Sequence, residues 1–242
     1  MLGKLFKFLI AVSIVTLGPF FDSGECPPDM SRVQNFCIDK YEAPNKGGEY
    51  PLVMYSYLES KAWCETREKR LCYSDEWTLA CSGEDKWRWS YSNKHEYGIC
   101  NDEKIWRKYK GKLLREWKGD ISSPEIETLP GLILCFLEAK PDKQETILHV
   151  MELYQAERSG EKSGCRSEYE VYDMVGNVEE WTTKRHGRRK NFNGALKGRF
   201  WAEPRTCFSS VRNHGDFFRF YETGFRCCKD TRGDNGKNSS HR

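Results

Sequence analysis

The sequence predicts a disulfide-rich α+β domain with little regular secondary structure, and three observations carry that expectation. Eleven cysteines are spread from Cys26 to Cys228. Aromatic residues make up 14% of the 242-residue chain and charged residues 31%, a combination that suits an ordered globular domain with much irregular backbone. Helical patterns are present but short, and they lie between segments bounded by Pro and Gly. The length suffices for one sizeable domain or two small ones. The net charge of +3 is spread over a mixed surface and calls for no nucleic-acid partner.

Taken in order, residues 1–25 read as a secretory signal peptide. Lys4 and Lys7 precede an apolar run from Phe8 to Leu17, broken by Gly18 and Pro19. That run is shorter than the roughly 20 apolar residues of a membrane span, though an uncleaved anchor stays open as the one membrane attachment of this segment. The body of the domain is expected over 26–230, secreted or extracytoplasmic: periplasm or cell surface in a bacterium. It opens with a hairpin from Cys26 to Glu42. A helix is predicted from Leu58 to Arg70 with Ala62, Trp63 and Cys64 on its apolar side. A second starts at Ser74 as its cap, with Trp77, Ala80 and Cys81 on one face. Residues 104–162 read as a divergent insertion, rich in Lys and Glu. Within it, Ile147, Val150, Met151 and Tyr154 recur at helical spacing and are expected to pack onto the parent domain. Residues 231–242 are polar and read as a disordered tail. The basic stretch Arg107, Lys108, Lys110, Lys112, Arg115, interleaved with Trp106, Tyr109 and Trp117, is either a solvated face or a binder of anionic membrane surfaces through 106–117.

With an export signal, the cysteines read as a disulfide framework. Zinc is disfavoured, because no paired Cys-x-x-Cys knuckles occur and no His sits beside a cysteine. The odd count leaves at least one thiol over, and Cys135 is the hardest to place.

Three segments then carry a resemblance. They are LESKAWCETREKRLCYSDEWTLAC over 58–81, VYDMVGNVEEWT over 171–182, and the stretch from Gly194 to Cys228 that ends in Gly-Phe-Arg-Cys. Together, and in this order, they resemble the formylglycine-generating enzyme or sulfatase-modifying factor family, whose fold is a variant of the C-type lectin fold. The 104–162 stretch shows no such likeness.

The resemblance implies a calcium site at the Asp173 and Glu180 side chains with the Gly176 and Val178 carbonyls. Oxygen-only ligation around a Gly-Asn turn suits that ion. From the residues alone, a capped turn with solvated carboxylates is equally open. The resemblance also implies that Cys64 pairs with Cys227 and that Cys81 takes a partner near Cys207. Cys100 with Cys165 would bracket the insertion, and Cys26 with Cys37 and Cys72 with Cys228 complete the set.

The family's oxidases hold copper(I) between two thiolates spaced Cys-x-x-x-x-Cys after a Gly-Gly-Ser strand. Here the first cysteine position is Ala202 and the serine position is Arg199, which leaves Cys207 as the lone candidate catalytic thiol. Copper is therefore not expected. His149, His186 and His214 are too scattered to suggest the histidine-bound iron of other relatives. The expectation is a non-oxidase binding or structural module whose groove, drawn from Trp201, Arg205, Arg212, His214 and Phe218, takes a peptide, protein or glycan. Arg212 and Arg226 are equally readable as scaffold residues, meeting a carboxylate and backbone carbonyls respectively. The alternative is an oxygen-dependent, metal-using oxidase or oxygenase acting on a thiol or peptide through Cys207.

Overall fold

The structure is a computed structural model and describes residues 25–113, 137, 141–202 and 204–231. The expectations for residues 1–24, Arg115, Trp117, Cys135 and 232–242 lie outside it. Among the described residues no helix is long and apolar enough to cross a membrane.

The chain enters through the expected hairpin, β1 (Met30–Val33) and β2 (Phe36–Asp39). Val33 pairs with Phe36, so the loop has two residues, and Gln34 takes the positive φ of 48° that such a turn needs. β3 (Arg70–Leu71) and β8 (Cys227–Asp230) complete the first sheet, in the order β1-β2-β8-β3. The second sheet runs β6 (Ser210–Val211), β5 (Gly194–Lys197), β4 (Glu179–Thr183), β7 (Thr223–Phe225). In it β4 and β7 are parallel and the other pairs antiparallel. The inner strands β4 and β5 are buried almost throughout, so they show no alternation of apolar and polar residues.

Helix α1 (Tyr57–Glu65) is shorter than the predicted 58–70. Ser56 and Glu59 form a capping box: Glu59 N donates to Ser56 Oγ at 3.3 Å and Ser56 N to Glu59 Oε2 at 2.9 Å. The far end is closed by Lys69 N turning back onto Cys64 O at 3.0 Å, with Glu68 at φ 56°. Ala62 is exposed while Cys64 is buried, because consecutive residues cannot share one face of a helix. The cap of helix α2 (Ser74–Ser82) is Tyr73, one residue earlier than expected, since Ser74 is already helical. The Ser74 hydroxyl is shared with Thr182 Oγ1 at 2.8 Å, and Glu76 Oε2 accepts from Tyr73 N at 3.0 Å. Trp77, Ala80 and Cys81 are all buried on one side, as the spacing predicts.

Helix α3 (Pro141–Leu153) buries Ile147, Val150 and Leu153, and Tyr154 follows directly. These residues form one core cluster with Val53, Met54, Phe200, Trp201 and Tyr221, so the 104–162 stretch supplies a wall of the core. His149 is buried as well and accepts from Lys110 N at 2.8 Å, which pins residues near 110 to the helix.

Five disulfides join these parts: Cys26–Cys37, Cys64–Cys227, Cys72–Cys228, Cys81–Cys207 and Cys100–Cys165. Nine-residue helices are marginal alone. Cys64 ties α1 to β8, and Cys81 ties α2 to the loop before β6.

Candidate functional site

The thiol that sequence reasoning singled out is sealed. Cys207 is 0% exposed, bonded to Cys81, and its backbone N donates to Arg88 O at 2.8 Å. Ala202, at the other thiol position, packs against the cluster around Trp201. A copper(I) ion needs soft thiolate ligands, and neither position offers one. The residues here do not fit copper.

The VYDMVGNVEEWT segment folds back around Gly176. Asp173, Gly176 and Asn177 take φ values of 56°, 82° and 53°. A Cβ on Gly176 would lie 2.3 Å from Asn101 O, so that close approach requires glycine. What the turn gathers is a buried acid cluster around one guanidinium. Arg226 donates from Nε to Glu180 Oε2 at 2.8 Å and from Nη2 to Glu180 Oε1 at 2.7 Å. Trp77 Nε1 adds a third bond to Oε2 at 2.8 Å, and Arg226, Glu180 and Trp77 are each 0% exposed. Arg226 also donates to the carbonyls of Asp39, Lys40 and Tyr172, at 3.2, 3.3 and 2.8 Å. Glu42 accepts from Ser159 Oγ at 2.7 Å and Asn177 Nδ2 at 2.8 Å, and Asp173 Oδ2 accepts from Gly160 N at 2.6 Å.

These residues do not fit the calcium site that the resemblance implies. Both oxygens of Glu180 are committed to Arg226 and Trp77, and a bidentate guanidinium already neutralises the carboxylate. Three carboxyls thus face one guanidinium. Burial, and then the charge of Glu42, holds the Asp173 carboxyl well above the usual range; burial likewise raises Glu42, though Arg226 opposes it.

The sign of the pH effect follows. The folded protein keeps a proton on Asp173 at pH values where the unfolded chain has released it, so this group's contribution to stability declines as pH rises above about 4. Asp173→Asn carries no such proton. Denaturant titrations across pH should show wild type losing ground to the variant as pH rises toward neutrality, with the difference shrinking in acid. A variant weaker at neutral pH, together with wild type destabilised by chelator, would instead restore calcium.

The expected ligand groove is assembled only in part. Trp201 is not on its surface: at 1% exposure it packs between Tyr154, Phe200 and Tyr221, with ring centroids 5.5, 5.6 and 6.0 Å away. Arg205 and Arg212 are exposed. His214 stacks on Phe218 at 3.8 Å, Phe218 stacks on Phe220 at 5.8 Å, and Tyr109 meets Phe220 edge-on at 5.6 Å. Burial, and then the charge of Arg199, lowers the pKa of His214.

Sequence reasoning missed Lys197, which is 3% exposed and lies in a cleft with Arg199, Arg205, Ser209 and Ser210. The stretch Gly-Ala-Leu-Lys reads as a strand running out into a solvated lysine, and only the partner strands show that it is covered. It also missed His95. Among the described residues, the one group of three metal-competent side chains with ligand atoms within 4.8 Å is His95, Asp102 and Glu103. There the two ring nitrogens face different carboxylates, Nε2 to Asp102 at 3.0 Å and Nδ1 to Glu103 at 3.5 Å, so the three groups form a paired imidazole. His149, His186 and His214 form no such group among the described residues.

Comparison with known proteins agrees with this architecture. A bovine (Bos taurus) protein named inactive C-alpha-formylglycine-generating enzyme 2 is 24% identical over 156 residues, which is 64% of this chain and 40% of the relative. The chain therefore matches less than half the length of that relative. Among solved structures, CarF superposes with a TM-score of 0.50 at 12% identity, covering 81% of this chain and 86% of its own. Treponema denticola variable protein 1 gives 0.50 at 13% identity, covering 84% and 91%. At such identities these two show a shared fold and nothing more. The description "sulfatase-modifying factor enzyme 1-like domain" matches residues 42–231. With the whole second sheet, both short capped helices and the Arg226–Glu180 centre inside that span, the chain belongs to the family of sulfatase-modifying factor enzyme 1-like domains.

Proposed function

We propose that this domain is an extracytoplasmic binding or structural module that has given up the oxidase chemistry of its family. One observation carries the reading: the Cys207 sulfur is bonded to Cys81 in the core while Ala202 stands in the other thiol position. An oxidase built on two thiolates would need a second sulfur and would have to open the Cys81–Cys207 bridge. Five disulfides in one domain support an oxidising compartment. The relative called inactive is consistent with loss of activity in this branch of the family.

What remains on the surface favours binding. Phe208 and Phe217 are 49% and 69% exposed, near the His214–Phe218 stack and the exposed Arg205 and Arg212. Aromatic area with arginine at its edge is the composition of interaction hot spots, so a peptide, protein or glycan is the partner class. The test is an assay of the oxidised protein with a cysteine-containing peptide, oxygen and supplied copper(I). The expected result is no aldehyde on the peptide, with or without copper. Copper-dependent aldehyde formation would return the domain to the oxidases.

A further inference from the structure

Lys197 is a buried cation that no carboxylate pairs with among the described residues. It ends β5, directly opposite Glu180 in the β4–β5 register, yet Glu180 is committed to Arg226. Its ammonium sits 5.3 Å from the centroid of the Trp77 ring. The charge acting on it is the like charge of Arg212. Burying an ammonium without an anion is costly, so a native lysine in that position calls for a partner.

The space beside it is shaped to receive one. A cleft of about 90 Å³ is lined by Lys197, Gly198, Arg199, Arg205, Ser209 and Ser210. Gly198 and Arg199 follow β5 with φ values of 78° and 62°. A side chain on Gly198 would strike Met174 O at 2.6 Å, and a positive φ at a residue such as Arg199 is a conformation that persists where its surroundings impose it. Glu179 also lines the cleft and lies 3.7 Å from Arg199 Nη1, so Arg199 is partly balanced where Lys197 is not.

We propose that this cleft is a binding site for a tetrahedral oxyanion, sulfate or phosphate, either free or as the terminal group of an ester. The lining residues include one lysine, two arginines and two serines, with Glu179 beside Arg199, and so many N–H and O–H donors suit an anion with oxygens on all sides better than a planar carboxylate with two. Burial, followed by the charge of Arg212, already lowers the Lys197 amine to about 8, and a bound anion opposes that shift. The inference deepens the ligand-groove reading by naming a ligand class. Its test reads Lys197 and not Cys207, so the two readings fail separately.

The experiment is a titration of the intact oxidised protein with sodium sulfate and with sodium phosphate, chloride being adjusted to hold ionic strength constant. Thermal stability and calorimetric binding are followed, with phenyl sulfate and phenyl phosphate as parallel arms. The expected result is saturable stabilisation of wild type and affinity at least tenfold weaker in Lys197→Met, since a charge-assisted hydrogen bond is lost. An equal response to the inorganic ions and the phenyl esters points to a terminal ester group, and a response to the inorganic ions alone points to a free ion. Lys197→Met removes an unpaired buried charge and is expected to fold. Should it not, amine methylation of wild type read by mass spectrometry replaces it, with Lys197 protected by sulfate. No saturable response to any of the four, an equal response in Lys197→Met, or a Lys197 methylated at the same rate with and without sulfate would overturn the proposal.

Discussion

Glu180→Gln is expected to lower the free energy of unfolding by about 3–5 kcal/mol, the cost of leaving a buried charge without its counter-ion. Arg226 is fully buried, and of its hydrogen-bond partners only Glu180 carries charge; the others are the carbonyls of Asp39, Lys40 and Tyr172. A neutral amide keeps the volume and can still accept from Trp77, so the change isolates the charge. Urea denaturation of the oxidised protein is the measurement. A paired Glu180→Leu, Arg226→Leu variant should recover part of the loss, because removing both charges abolishes the unpaired guanidinium. A loss below about 1 kcal/mol in Glu180→Gln would mean that Glu180 is not the counter-charge that Arg226 depends on.

The second large effect concerns the longest bridge. Cys64–Cys227 spans 163 residues and joins α1 to β8, the strand that lies between β2 and β3. Its removal as Cys64→Ala with Cys227→Ala is expected to cost about 4 kcal/mol, on the order of 10 °C in Tm for a domain of this size. Both residues must be changed together, since a lone Cys227 thiol beside the Cys72–Cys228 bridge would exchange with it. A change of less than about 1 kcal/mol would show that the sheets register without this link.

The parts of the fold visible in the sequence are those whose signal is local or carried by sulfur. The hairpin follows from its bounding prolines, and the Trp77, Ala80, Cys81 face of α2 and the inward stripe of α3 from spacing; Cys64–Cys227 and Cys81–Cys207 are pairs the resemblance implies, Cys100–Cys165 brackets the insertion, and Cys26–Cys37 and Cys72–Cys228 complete the set. The misses have a common physical origin. Trp201 was placed at a surface because it sits in a polar loop, but the aromatic residues that cover it, Tyr154 and Tyr221, are distant in sequence. The resemblance places Glu180 at a cation, and its guanidinium partner, 46 residues away, is invisible in the segment that carries the motif. The burial of Lys197 at the end of its strand depends on neighbours that no window of sequence contains. In each case a charged or amphipathic side chain was judged by its own segment, and long-range pairing decided its role.

The state of the Cys207 sulfur remains the point on which the functional reading turns. The direct measurement is alkylation of the unreduced, denatured protein followed by proteolysis and mass spectrometry of the linked peptides. The account predicts a peptide pair joined through Cys81 and Cys207, with no alkyl label on either residue. A labelled Cys207, in protein that also retains copper(I), would contradict it.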